Sequence, residues 1–373
     1  MFKILLPFGT LAVLLVCSPL AAQDPTFSQF YINRIYLNPA LVGLDAGTAF
    51  NVSYRNQWPG VSGAFNTASA SVELQEPCLG SAFAASGFYD RAGEAGFQTI
   101  GFGLHYAYII GTKSSNIHIG MKAGYVQRSL DWSKLVFSDQ LDPVYGVVRG
   151  TAAQMGLDQV GYPDFDAGIA WRQEYEHPRY KKTPIRTMVG FAVSHLLRPD
   201  QSFYNIESIV PRRWTIHAAG EIPMAPYQRK SGRHTFRKFF FLPNFKYEWQ
   251  GESSAVLNQG RTQLLTYGMY VQTPSPLYFG MLLQHQKFGS NRNNTNALVV
   301  TSGLDFTDEA GYHYIVGGSY DFNVKGLSTR GGGAFEVNFR MVLTGQHIAC
   351  KGSPSERWKR ENMRRIQDCN NFF

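Results

Sequence analysis

The sequence predicts an all-β fold, a transmembrane antiparallel β-barrel of about 14 strands. Three features lead there. The chain opens on a removable leader and continues as stretches of alternating apolar and polar residues divided by turns. It contains no run long and apolar enough to form a membrane-spanning helix. In lipid every backbone polar group must be paired internally, which only helices and closed barrels achieve. An exported chain without apolar helices therefore crosses as strands. The last stretch shows the pattern best: Phe335, Val337, Phe339 and Met341 share one face, and Glu336, Asn338 and Arg340 the other. Strand side chains have period two, so one segment presents both an apolar and a charged face. A soluble sandwich also alternates, but the leader and the aromatic content favour an outer membrane.

The leader spans residues 1–22, with Lys3 as its basic region and 4–16 as its apolar core. Leu20-Ala21-Ala22 supplies the small residues of a cleavage site and leaves Gln23 as the mature start. Cys17 invites a lipoprotein reading, but Val16 is bulky where a lipoprotein signal needs a small residue. Ordinary cleavage fits better. The 20 Tyr and 27 Phe suit interfacial girdles, and the 37 Gly suit turns and close strand contacts.

Strand candidates follow in order at 48–54, 66–73, 82–90, 99–109, 116–128, 165–175 and 187–196. The series continues at 214–222, 240–249, 263–271, 277–285, 296–306, 312–322 and 334–342. With the mature start in the periplasm, the odd-numbered connections face outward, among them 55–65, 129–164, 197–213, 250–262 and 287–295. The even-numbered ones at 75–80, 111–115, 273–276 and 307–311 are shorter. Long outer loops and short inner turns are the rule for such barrels. Two basic connections, near 177–186 and 223–238, depart from it and are placed inside as candidate docking surface. Both chain ends are expected on the periplasmic side.

Residues 23–47 precede the barrel (48–343) and neither alternate clearly nor read as a helix. Pro39 argues against a central strand there. Phe27, Phe30, Tyr31, Ile35, Tyr36 and Leu37 are costly to leave in water, so this segment should pack on or in the barrel. Asp24 is expected to pair with a lumen arginine.

The tail, 344–373, carries Ser353-Pro354-Ser355-Glu356, a capping box with proline at the first helical position. A helix from Pro354 to Asp368 would be about 22 Å long. A Cys350–Cys369 disulfide needs Cα atoms within about 7 Å, so helix and bond are nearly exclusive. The helix is favoured. It would offer Arg357, Trp358, Lys359, Arg360, Arg364 and Arg365 to an acidic periplasmic partner; the alternative is a solvated tail.

The net charge of +8 is concentrated in the two basic connections and the tail, and suits acidic partners or lipid headgroups. An exported chain with no recognised nucleic-acid motif gives no reason to expect nucleic acid. After leader removal Cys78, Cys350 and Cys369 remain, an odd number, so at least one is free or pairs with another chain.

Asp24-Pro25-Thr26-Phe27-Ser28-Gln29-Phe30, followed by Tyr36-Leu37-Asn38-Pro39-Ala40-Leu41-Val42-Gly43, resembles the opening of the PorP/SprF family. These are outer-membrane proteins of the Bacteroidota type IX secretion and gliding machinery. Tyr54-Arg55-Asn56-Gln57-Trp58-Pro59-Gly60 is similar to the family's first outer loop, and Phe137-Ser138-Asp139-Gln140 to its large middle loop. Ser319-Tyr320-Asp321-Phe322 and Gly333-Ala334-Phe335-Glu336-Val337 resemble the closing hairpin. The resemblance implies a barrel that anchors the periplasmic type IX apparatus or serves export of particular adhesins. No enzymatic activity and no cofactor are expected.

The residues agree with the last point. There is no Gly-x-Ser-x-Gly elbow, no His-Glu-x-x-His and no phosphate loop. His105, His118, His217 and His313 lie on separate strands and read as lumen histidines rather than metal ligands. Functional weight falls on the opening motif and on Arg55, Asn56, Gln57 and Trp58, which either present an interface or fold inward to brace the wall. Glu336, Arg340, Lys122, Arg128, Asp166 and Arg172 are placed on the lumen face. The rival to a partner-binding scaffold is a conducting barrel resembling long-chain fatty-acid channels, which have the same strand number and an inserted N-terminal segment; a continuous apolar path through the lumen would favour it, and a polar lumen blocked by loops the scaffold.

Overall fold

The computed structural model describes residues 24–45, 47–76, 80–112, 114–176, 184–204, 206–226, 238–251, 262–288, 293–309, 311–325 and 331–343. The leader, Cys78, most of both basic connections and the whole tail with its cysteines and basic residues lie outside the described residues.

Among the described residues sixteen strands follow in order: β1 (Thr48–Gln57), β2 (Phe65–Glu76), β3 (Ser81–Ala92), β4 (Phe97–Gly111), β5 (Ser115–Ser129), β6 (Leu141–Asp142), β7 (Gly146–Val147) and β8 (Gln159–Tyr175). They continue as β9 (Ile185–Ser194), β10 (Arg213–Pro226), β11 (Lys238–Gln250), β12 (Thr262–Gln272), β13 (Leu277–Phe288), β14 (Asn293–Thr307), β15 (Tyr312–Lys325) and β16 (Ala334–Leu343). Fourteen of them form one closed antiparallel barrel, in which each strand pairs with its neighbours in the sequence and β1 closes on β16. Closure leaves the wall without an unpaired edge. The pair β6–β7 is a separate hairpin within the long β5–β8 connection.

Each of the fourteen stretches read from alternation is a barrel strand, with different ends. β1 runs on to Gln57, and β8 starts at Gln159 rather than at 165. The register Thr48↔Leu343 to Gln57↔Ala334 sets both outer strand ends, Thr48 and Leu343, on one rim, here the near rim. Gln57 and Ala334 mark the far rim.

The barrel is inside-out relative to a soluble domain. On β16, Glu336, Asn338 and Arg340 are buried in the lumen, whereas Phe335, Val337 and Phe339 face outward. Leu104 and Phe102 on β4 are 70% and 67% exposed, so the outer wall is apolar where globular proteins are polar. Outward aromatics gather towards both rims: Tyr106, Tyr108 and Trp171 towards the near one, Tyr54, Tyr125 and Tyr320 towards the far one. No helix among the described residues is long and apolar enough to cross a membrane, which says nothing of a barrel.

The lumen is filled by residues 24–45, which form a plug. A helical turn, α1 (Arg34–Leu37), leads into a 3-10 turn over Pro39–Leu41. Asn38 starts that turn: its side-chain oxygen accepts from the Ala40 N–H at 2.9 Å, and Pro39 supplies the fixed φ of a first helical position. Gly43, at φ +71° and packed against Ala82, lets the chain leave the turn in a conformation other residues resist. Phe30, Tyr31, Ile32, Leu37, Leu41 and Leu44 form one apolar cluster with wall residues including Met188, Leu242, Tyr278 and Leu282. The main core of the protein is therefore the contact between plug and wall.

The plug crosses the lumen lengthwise. Asp24 contacts Arg213 and Gln250, at the far-rim ends of β10 and β11, while Asp45 meets Arg340 near the opposite rim. The expectation that both chain ends lie on one side thus fails for the described start. Asp24 and Thr48 are at opposite ends because the plug runs the height of the barrel before β1 begins.

Candidate functional site

Among the described residues, four polar clusters tie the plug to the wall, beside a separate bond from Asn33 to the Ser69 hydroxyl at 2.7 Å. At the barrel seam, the backbone N–H groups of Ser28 and Gln29 donate to the Glu336 carboxylate at 2.7 and 3.1 Å. Arg55 donates to the Ser28 hydroxyl at 2.5 Å, to Asp321 at 2.6 Å and to Glu336 at 3.3 Å, and Ser28 Oγ donates to Asp321 at 2.7 Å. Plug, first strand and last two strands meet in this one network.

Near the other rim, Asp45 accepts from both Arg34 and Arg340. Burial alone would raise the Asp45 carboxyl, but the two guanidinium groups hold it at about 2. Arg340 also donates to Glu73 at 2.8 Å, and Glu73 accepts the Gly43 N–H at 3.0 Å.

Midway, His217 is completely buried between two plug side chains. Asn38 Nδ2 lies 2.9 Å from its Nε2, and the Tyr31 hydroxyl lies 2.9 Å from its Nδ1. With Asn38 donating to Nε2, the neutral ring carries its proton on Nδ1 and donates to Tyr31, a tautomer assigned from the network. Asn38 further donates to the Ile169 and Phe191 carbonyls at 3.2 and 3.3 Å.

The fourth cluster surrounds Asp24. His195 Nε2 lies 2.8 Å from the Asp24 carboxylate and His195 Nδ1 lies 2.7 Å from Asp164, while Arg213 reaches Asp24 at 3.2 Å. Burial would raise the Asp24 carboxyl, yet His195 and Arg213 hold it well below the usual carboxylate range. Burial would likewise lower the His195 imidazole, but Asp24 and Asp164 push it up to about 10, so it is protonated at neutral pH. Asp164, Asp166 and His195 are close enough together to suggest a cation site. A cation is already there: the Lys122 ammonium lies 2.9 Å from each carboxylate, and both imidazole nitrogens are engaged.

Above the plug, a vestibule of about 1040 Å³ opens at the far rim. Asp24, Pro25, Thr26, Ile35 and Tyr36 form its floor, and Gln57, Trp58, Phe65, Phe97 and Gly333 lie around its mouth. Towards the near rim the plug residues are buried. Among the described residues the vestibule ends blind on the plug.

The structure gathers most of the sequence-selected residues into the plug and this vestibule. Asp24, Ser28, Gln29, Asn38, Pro39 and Gly43 make the contacts above, Phe27 packs edge-on against Tyr36 at 5.4 Å, and Pro25 belongs to the floor. Placing 55–65 wholly in a loop is corrected: Arg55, Asn56 and Gln57 are ladder residues of β1, because the pairing to β2 and β16 continues through them. Arg55 turns inward, and Asn56 donates to Asn66 at 2.6 Å. Trp58 alone of the four lies beyond the strand. It has φ 59°, its N–H donates to the Gly333 carbonyl at 2.7 Å, and it packs on Phe65 at 5.2 Å. Asp139 and Gln140 sit apart, in the exposed β5–β8 connection. The Ala152 N–H, at 2.7 Å, holds the Asp139 carboxyl below the usual range, and Gln140 accepts the Phe137 N–H at 2.7 Å. They fold that loop.

Sequence reasoning missed His195, Asp164 and Asp45. His195 follows the last residue of β9 at φ 58°, although the strand candidate 187–196 took it in, and Asp45 precedes the first strand. Asp164 fell in the stretch read as the outer connection 129–164, although it lies on β8.

No curated protein matches the sequence. Among solved structures, the CymD monoaromatic hydrocarbon channel aligns with TM-score 0.42 and 10% identity over 85% of this chain and 94% of that one. A Pseudomonas aeruginosa FadL homologue gives 0.40 and 10% over 79% and 88%. CdiB from Acinetobacter baumannii gives 0.37 and 9% over 79% of this chain, which spans only 60% of that protein's length. The model of the type IX secretion system membrane protein family PorP/SprF matches residues 20–341, nearly the whole described structure including the plug. The chain belongs to the PorP/SprF family.

Proposed function

We propose that this protein lies in the outer membrane and serves type IX secretion as a closed barrel that binds protein partners, either periplasmic machinery or an exported adhesin. The observation that carries the reading is the plug. A polar lumen blocked beneath the vestibule by ion pairs and an apolar cluster suits a rigid scaffold and interrupts the continuous apolar path that would favour the rival, although an inserted N-terminal segment by itself fits either. The apolar outer wall with aromatics towards both rims supports a lipid-facing surface. With the near rim periplasmic, the vestibule and the β6–β7 hairpin face outward.

Gentle extraction of the tagged barrel, followed by identification of co-purifying proteins, tests the reading. Periplasmic type IX components or a secreted adhesin should be recovered. Recovery of neither, from cells in which the machinery itself is intact, would overturn it. In a planar bilayer the purified protein should pass no steady ion current; a steady current would favour the conducting rival.

A further inference from the structure

We propose that the far-rim vestibule receives the end of an extended peptide chain and that Arg128 takes its terminal carboxylate. This deepens the partner-binding reading above and rests on it.

One buried cation of the wall makes no direct ion pair. Six arginines are buried among the described residues: Arg34, Arg55, Arg128, Arg172, Arg213 and Arg340. Five have a carboxylate within ion-pair distance, namely Asp45, Asp321, Glu174, Asp24 and Asp45 again. Arg128 has none. Its guanidinium donates to the Gln201 side-chain oxygen and lies 5.6 Å from the Phe97 ring centre, and its Nε has no partner. The Asp24 and Asp90 carboxylates feel its charge but lie beyond ion-pair distance, and a charge-assisted bond to carboxylate is among the strongest polar contacts available. Arg128 lines the vestibule, so an anion entering there would find it.

The rest of the wall narrows the ligand. Ser71 Oγ, His105 Nδ1 and Asn323 Nδ2 are buried polar atoms without partners that also belong to vestibule-lining residues. A peptide backbone carries both donors and acceptors and can satisfy such a mixture. Phe65, Phe88, Phe97 and Tyr162 supply apolar faces for side chains. An acyl chain would instead lie across Lys122, Asp164 and Asp166, and a neutral sugar would offer Arg128 no charge. The blind floor admits a chain end and excludes a passing chain. The volume stands at the upper end of the roughly 300–1,000 Å³ usual for ligand sites.

The probe is an N-terminally labelled hexapeptide pool of random sequence, prepared with free C-terminal carboxylates or with C-terminal amides, and incubated with the full-length barrel in detergent. The free-carboxylate pool should be retained about tenfold better than the amidated pool, the discrimination of one charged hydrogen bond. Arg128→Gln should abolish that preference and Arg128→Lys should keep part of it. Asn323→Asp, which adds a repelling charge and leaves Arg128 in place, should lower retention of the free-carboxylate pool. Equal retention of both pools by the wild type, or an undiminished preference in a folded Arg128→Gln protein, would overturn the assignment. If wild-type barrel still co-purifies partner proteins in that case, the partner-binding reading stands and only the vestibule assignment fails.

Discussion

Arg55 Nη2 donates to Asp321 Oδ2 at 2.6 Å, joining the first strand of the barrel to the strand before the last. The pair straddles the seam where β1 closes on β16, and the plug residue Ser28 hydrogen-bonds to both partners. Barrel closure and plug docking therefore share one set of bonds. Arg55→Met should strand the Asp321 and Glu336 carboxylates, at a cost of roughly 3–5 kcal/mol for an uncompensated buried charge. The temperature at which the compact gel form is lost should fall clearly. An unchanged transition would mean that the seam holds without this network.

Gly120 on β5 faces the Pro39–Ala40 backbone so closely that a Cβ there would overlap it. Gly120→Ala should displace the 3-10 turn while leaving the ladder of β5 intact. Limited proteolysis should then cut within 24–45 in the variant and not in the wild type. Equal resistance would show that the plug can shift to accommodate a methyl group.

The Asp24 cluster predicts a pH profile with a defined sign. His195 faces Asp24 from the plug, Asp164 and Asp166 from β8, Lys122 from β5 and Arg213 from β10. Its value is raised from an ordinary 6.5 to about 10, so its stabilisation is complete below 6.5 and is lost as pH rises through about 10. Asp24 is depressed, so its contribution is present above its ordinary 3.8 and is lost only as pH falls well below that. The melting temperature should therefore decline between about pH 6.5 and 10, and His195→Gln should flatten that limb. A decline of equal slope in the variant would assign it to other groups.

The orientation makes a labelling prediction. Val144, 79% exposed at the tip of the β6–β7 hairpin, lies beyond the far rim, whereas Ser275 lies in the β12–β13 turn at the near rim. On intact cells, Val144→Cys should react with an impermeant maleimide and Ser275→Cys should not. The reverse pattern would invert the barrel.

The wall was legible in the sequence because each strand has one face in the lumen and the other outside, which forces period two on residues such as Phe335 to Met341. The ends of β1 and β8 were not. Arg55–Gln57 and the residues from Gln159 are polar or turn-prone, and it is cross-strand pairing that extends the ladder through them. The plug was legible only as an exception, an apolar stretch with no period. Its partners lie far along the chain: Ser28 meets Glu336 and Asp24 meets His195. Neither pairing has a local signature, because both join the plug to wall residues far along the chain. Arg128 alternates like its neighbours on β5, so nothing in the sequence sets it apart from the arginines that find carboxylates.

The course of the plug has a practical consequence for anyone modifying the protein. Because the chain enters β1 only after crossing the lumen, whatever is joined ahead of Asp24 has two outcomes open to it. It must emerge through the vestibule beside Trp58 and Phe97, or hold the plug out of its seat. A purification handle at that end would be expected to obstruct the mouth and loosen the core together. Leu343, by contrast, lies at the opposite rim.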